Sequence, residues 1–175
     1  MRNFLLAIPL LILAAVVFAV VNLGVFKSVV VEYGSAPEMI VVYKNHVGPY
    51  HKIGEAITPV EEWAKKQNVD CKQTFGEYFD NPQVQEQERL RSRGGCVVNQ
   101  EPHSLPPDFG YEKIPSKTYY KAYFQGSPWI GPYKVYKQVY GKAEEDHKKI
   151  TGAVIEIYEL LEPNKMQTTY LFPAE

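Results

Sequence analysis

GPYHKIGEAITPVEEWAKK (residues 48–66) and GPYKVYKQVYGKAEEDHKK (residues 131–149) open alike and lie 83 positions apart. Each follows a run rich in β-formers, VVYKNHV and TYYKAYFQGSPWI, and each precedes another, FGEYFDNP and VIEIYELLEP. In the first stretch Tyr50, Ile53, Ile57, Val60 and Ala64 fall close to one helical stripe; in the second Tyr133, Tyr136, Val139, Tyr140 and Ala143 do the same, with charges on the other face. Thr58-Pro59 leaves two readings. The helix starts near GPY and kinks there, or it begins afresh with Thr58 as N-cap, Pro59 at the first position and Glu61 closing a capping box. Both readings end it near Gln67-Asn68.

Outward from these helices the chain reads as strands. EMIVVYKN, QTFGEYFD and RGGCVVN flank the first, and Gly94-Gly95 leaves room for a bulge. KTYYKAYF, TGAVIEIYELL and TTYLFP flank the second, the last two joined by a turn at EPN. VFKSVVVEYG is a short strand ahead of both units. Residues 99–116 carry four prolines and no periodicity, and read as a linker. The halves, about 39–98 and 117–172, are each strand–helix–strand–strand. Neither has apolar surface enough to stand alone. The expected fold is α+β: duplicated units pooling their strands in one curved antiparallel sheet, with two helices on one face.

The chain has 175 residues, is 45% hydrophobic and contains 13 Tyr, a residue that suits a groove as well as a core. Its formal charge of −1, with no block of one sign, is no footprint for nucleic acid. Phe4 to Val21 is uncharged and approaches the ~30 Å of a bilayer interior. Residues 1–26 are therefore expected to be a transmembrane anchor (or an uncleaved signal), and residues 27–175 the folded domain. Arg2 before the span and Lys27 after it lean towards a single-pass membrane protein with its domain outside the cytoplasm. Cys71 and Cys96 flank a hairpin centred near residue 84, which brings them nearly opposite each other. They read either as a disulfide or as two unrelated, partly buried thiols.

The strand AVIEIYEL places the centre of a candidate site. Ile155 and Ile157 form one apolar set, expected to face the helices; Glu156 and Tyr158 then point to the opposite face. A carboxylate in mid-strand among aliphatics needs a partner or solvent. Superposing the halves on Tyr78 and Tyr158 sets Gly76 against Glu156, so one half supplies an acid and the other supplies space. A tyrosine-lined groove with one acid favours a cationic or amphipathic small molecule.

The GPY turn before a helix, the repeated unit and the second-half E-I-Y strand resemble the GyrI-like (gyrase-inhibitory-protein-like) small-molecule-binding domain over roughly residues 38–173. The apolar N-terminus, YKNHVGPY, and YFDNP followed by a cysteine-bearing strand resemble a membrane-anchored branch that includes an endoplasmic-reticulum autophagy receptor of animals. The resemblance implies a ligand cleft between fused halves. It makes Glu156 the acidic contact, with Tyr78, Tyr123, Trp129 and Tyr158 as aromatic candidates. No helix-turn-helix precedes the domain, and the long acidic tail of the animal receptor is missing. Three functions stay open: non-catalytic ligand binding, a membrane-tethered module for a protein partner that the sequence does not name, and hydrolysis of electrophiles using Glu156. No cofactor or metal is expected, because His46, His51, His103 and His147 lack ligand spacing.

Overall fold

A computed structural model describes residues 2–162 and 165–175, with side chains described from residue 8 onward except at residue 22. The elements in chain order are α1 (Arg2–Asn22), β1 (Val30–Ala36), β2 (Met39–Val47), α2 (Gly54–Lys66), β3 (Gln73–Tyr78), β4 (Arg91–Val98), β5 (Phe109–Ile114), β6 (Lys117–Gln125), α3 (Gly131–Glu145), β7 (Val154–Glu162) and β8 (Lys165–Pro173). The eight strands form one antiparallel sheet in the order β1-β6-β8-β7-β3-β4-β2-β5. The fold is α+β, and the strand–helix–strand–strand pattern occurs twice, as β2-α2-β3-β4 and β6-α3-β7-β8.

The halves meet where β3 pairs with β7. Gly76 lies opposite Glu156, Thr74 opposite Tyr158 and Tyr78 opposite Val154. Each residue of β3 thus pairs with the counterpart of a residue placed symmetrically about Gly76. An approximate two-fold axis runs through the Gly76–Glu156 pair.

The sheet must curl. β1 and β2 stand six strand spacings apart, about 29 Å if the sheet were flat. Only Pro37 and Glu38 join them, and two residues between strand ends reach at most about 11 Å. Pro115 and Ser116 join β5 to β6 across the same gap. The two crossovers lie side by side, with Ser116 Oγ donating to the Ala36 carbonyl over 2.8 Å. Inside the curl a core of Ala36, Val41, Phe75, Ile114, Tyr119, Ile155 and Leu171 fills the space. On the outer face α2 packs Val60 and Ala64 on Val42, Cys96 and Val98. There α3 packs Val135, Val139 and Ala143 on Tyr120, Phe124, Val154, Tyr170 and Phe172.

Several expectations are corrected. Among the described residues no helix is long and apolar enough to cross a membrane, which overturns the single-pass anchor over residues 1–26. The linker at 99–116 contains β5, whose Pro-rich approach masks a six-residue strand. Pro59 lies inside α2, so Thr58 is not an N-cap. Gly94-Gly95 makes no bulge. Gly94 instead lets α2 approach, since a Cβ there would stand 2.8 Å from Ile57 Cγ1, and Gly95 clears the Val42 carbonyl. The EPN turn at residues 162–164 lies mostly outside the described residues. Cys71 and Cys96 form a disulfide with Cα atoms 5.4 Å apart, although the strand register sets Cys96 opposite Thr74. Cys71 reaches it from just ahead of β3.

Candidate functional site

Glu156 faces the helices, not the opposite side. Ile155 is taken by the core inside the curl, and Ile157 packs against that core. Alternation then turns Val154, Glu156 and Tyr158 towards α2 and α3. The two helices cover different halves of the sheet, so the seam between β3 and β7 runs between them. At the middle of that seam sits a carboxyl only 4% exposed.

Tyrosines surround it. Tyr158, two residues along the same strand, donates to Glu156 Oε2 over 3.0 Å. Tyr136, from α3, donates to Oε1 over 3.3 Å. The Tyr78 and Tyr158 hydroxyls are 2.8 Å apart. Because Tyr158 commits its proton to Glu156, Tyr78 is the donor in that pair. Gly76 supplies the room, but the Tyr78 ring has folded back over it: a Cβ on Gly76 would stand 2.7 Å from Tyr78 Oη. Tyr50, of the first GPY, packs its ring edge-on to Tyr78 with centroids 4.8 Å apart. It is pinned there by donating to the Asp80 carbonyl over 2.7 Å and accepting from the Asp80 N–H over 2.8 Å. Tyr170 lies on β8 directly opposite Glu156 and stands edge-on to Tyr136.

Burial is the largest influence on this group of acids. It pushes Glu156 up to about 7, against the pull of the hydrogen bonds from Tyr158 and Tyr136. Burial, then the nearby Glu156 charge, holds the phenols of Tyr78, Tyr136, Tyr158 and Tyr170 above the ordinary tyrosine range. Near neutrality the centre therefore holds one proton that is easily lost, and the phenols around it stay neutral. When Glu156 ionises, it presents a single negative charge behind aromatic walls. That setting favours a cation by charge and by ring faces together.

The structure brings three of the five candidate ligand residues together: Glu156, Tyr158 and Tyr78. Trp129 lies in the turn before α3, 68% exposed, with its ring 6.4 Å from that of His51 at the entry to α2. It stands at the surface where the two helix entries approach each other. Tyr123 pairs with Val30 and Thr169 and projects from the face opposite Glu156, because its neighbours Ala122 and Phe124 occupy the helix side. Tyr50, Tyr136 and Tyr170 were not among the sequence candidates. Tyr136 was visible as part of the helical stripe, and Tyr50 as the tyrosine of GPY. Tyr170 had no signal short of the register of β7 with β8. Among the described residues, no group of three or more His, Cys, Asp or Glu is arranged to hold a metal.

Solved structures share this fold at low sequence identity. The chain aligns with EcmrR in a DNA complex at TM-score 0.68 and 17% identity, over 84% of this chain and 57% of that one. It thus spans little more than half of that longer protein. With the EcmrR C-terminal domain alone the TM-score is 0.66 at 16% identity, over 84% and 98% of the two chains. SAV2435 bound to tetraphenylphosphonium aligns at TM-score 0.53 and 9% identity, over 83% and 94%. No curated protein matches the chain in sequence. These likenesses reach the fold, and none reaches a membrane-anchored branch. The family model for the GyrI-like small molecule binding domain matches residues 32–175, which hold every strand but the first two residues of β1, both sheet-packed helices and the Glu156 site, and the chain therefore belongs to that family.

Proposed function

We propose that the chain binds a small cationic or amphipathic molecule at Glu156, between α2 and α3, without transforming it. The observation that carries this is a buried carboxyl at the seam of the two halves, held by Tyr136 and Tyr158 and walled by Tyr78. A buried charge is retained against its desolvation cost where a counter-charge arrives. Tyr78 and Tyr158 are the adjoining aromatic contacts, and Trp129 stands by the helix entries as an outer one. A protein of the same fold, SAV2435, is seen with tetraphenylphosphonium, a bulky lipophilic cation, which supports the assignment. A nucleic acid is not assigned as a partner, the formal charge being −1.

Tetraphenylphosphonium is the probe for the test. Calorimetric titration at pH 8 is expected to show binding to the wild-type chain. Glu156→Gln is expected to weaken it at least tenfold, because the neutral amide keeps the shape and loses the charge. Undiminished binding by a folded Glu156→Gln chain would overturn the proposal. Glu156-dependent release of product from ester or epoxide probes would replace it with hydrolysis.

A further inference from the structure

Three buried side-chain hydroxyls have no hydrogen-bond partner among the described residues: Tyr170 Oη, Thr168 Oγ1 and Ser92 Oγ. All three flank the Glu156 cluster. Tyr170 pairs with Glu156 and Thr168 with Tyr158 across β7 and β8, while Ser92 pairs with Tyr78 across β3 and β4. Directly paired strand residues project from the same face, so these hydroxyls share the face of the carboxyl.

Tyr170 and Thr168 are fully buried. The Thr168 hydroxyl is near enough to hold down the titration of the Tyr170 phenol, but the two do not reach hydrogen-bond geometry. Tyr170 Oη also presses towards the first turn of α3, where Gly131 clears its path: a Cβ there would stand 2.1 Å away. An unpaired buried hydroxyl carries a desolvation cost that Phe or Val of the same shape would avoid. Two such groups, two residues apart on β8 and on the face of the acid, amount to unused acceptor capacity beside Glu156.

We infer that this site selects cations bearing N–H groups, primary or secondary ammonium ions, over fully alkylated ones, with Tyr170 and Thr168 as the selecting residues. The inference rests on Glu156 as the anchor of the ligand. One ammonium N–H bonds the carboxylate. The others find Tyr170 Oη and Thr168 Oγ1, neither of which has a hydrogen-bond partner among the described residues. A trimethylated nitrogen brings the same charge and leaves both hydroxyls as they were.

The probes are 4-phenylbutylammonium and its N,N,N-trimethyl counterpart, titrated at pH 8 into the full chain and into the double variant Thr168→Val/Tyr170→Phe. The wild-type chain is expected to favour the primary ammonium. In the variant the ratio of the two affinities is expected to fall by about tenfold or more, with the trimethyl affinity little changed. Thr168→Ser, which keeps a hydroxyl, should keep most of the wild-type ratio. The variants should melt at or above the wild-type temperature, since apolar groups of like shape replace unpaired polar ones; a double variant that fails to fold assigns the hydroxyls to structure and overturns the inference. An equal ratio in both folded chains overturns it as well. If neither amine binds while tetraphenylphosphonium does, only the selectivity fails. If none of the three binds, the assignment of Glu156 as anchor fails with it.

Discussion

Between about 4.5 and about 7 the Glu156 carboxyl binds more protons in the folded chain than in the unfolded one, because burial raises its folded value. The sign follows directly. Its contribution to stability is complete below the unfolded value and is lost as pH rises through the folded one. The loss amounts to about 3 kcal/mol across that window. Urea titrations at pH 4.5 and pH 7.5 are expected to show wild type losing about that much more stability on going to the higher pH than Glu156→Gln loses. Parallel behaviour of the two chains would place the carboxyl in water. The acid itself was legible in the sequence, as a carboxylate in mid-strand with an isoleucine on either side. Its face was not. Alternation gives two sets of residues but not which set the helices cover, and Ile155 and Ile157 were claimed by a second core that no local pattern announces.

At the scale of elements, glycine separates packing from propensity. Gly94 lies under α2, where added bulk meets Ile57 and Ile53, whereas Gly141 stands on the exposed side of α3 with nothing within 4 Å of an added Cβ. Gly94→Ala is expected to destabilise by about 1–3 kcal/mol through overpacking. Gly141→Ala is expected to stabilise by up to about 1 kcal/mol through helix propensity. Chemical denaturation of the two variants checks both signs, and a neutral Gly94→Ala would mean that α2 lies loosely on the sheet. The helices themselves were readable from apolar spacing, and the β3–β4 pair from its β-formers. β5 was hidden by the prolines around it. A fainter signal survives in Tyr33-Gly-Ser-Ala-Pro37 and Tyr111-Glu-Lys-Ile-Pro115. Each ends a strand on a proline crossover.

That echo changes the repeating unit of the whole molecule. Each unit has five elements, β1-β2-α2-β3-β4 and β5-β6-α3-β7-β8, and each lends its first strand to the other. β1 precedes the first unit and pairs with β6 of the second; β5 precedes the second and pairs with β2 of the first. The registers match, with Ala36 opposite Lys117 and Ile114 opposite Met39. Two halves interlocked in this way should unfold together. Trp63 packs with the core under α2, and the α3 half of the sheet carries its own core. In a Trp129→Phe chain, the fluorescence of Trp63 and the far-ultraviolet circular dichroism are expected to report one coincident transition. Separate midpoints would show the halves to be independent. The doubling was plain in the two GPY helices, and the exchange was not, since it resides in pairings between distant segments.

The exchanged arm has a consequence for biosynthesis. β1 leaves the ribosome early, yet the strand that satisfies its backbone, β6, follows roughly eighty to ninety residues later. At about 5–20 residues per second, that edge waits for several seconds with its amides unpaired. The nascent chain must keep an unpartnered strand soluble for that interval, and a chaperone that shields extended apolar segments would act on it there.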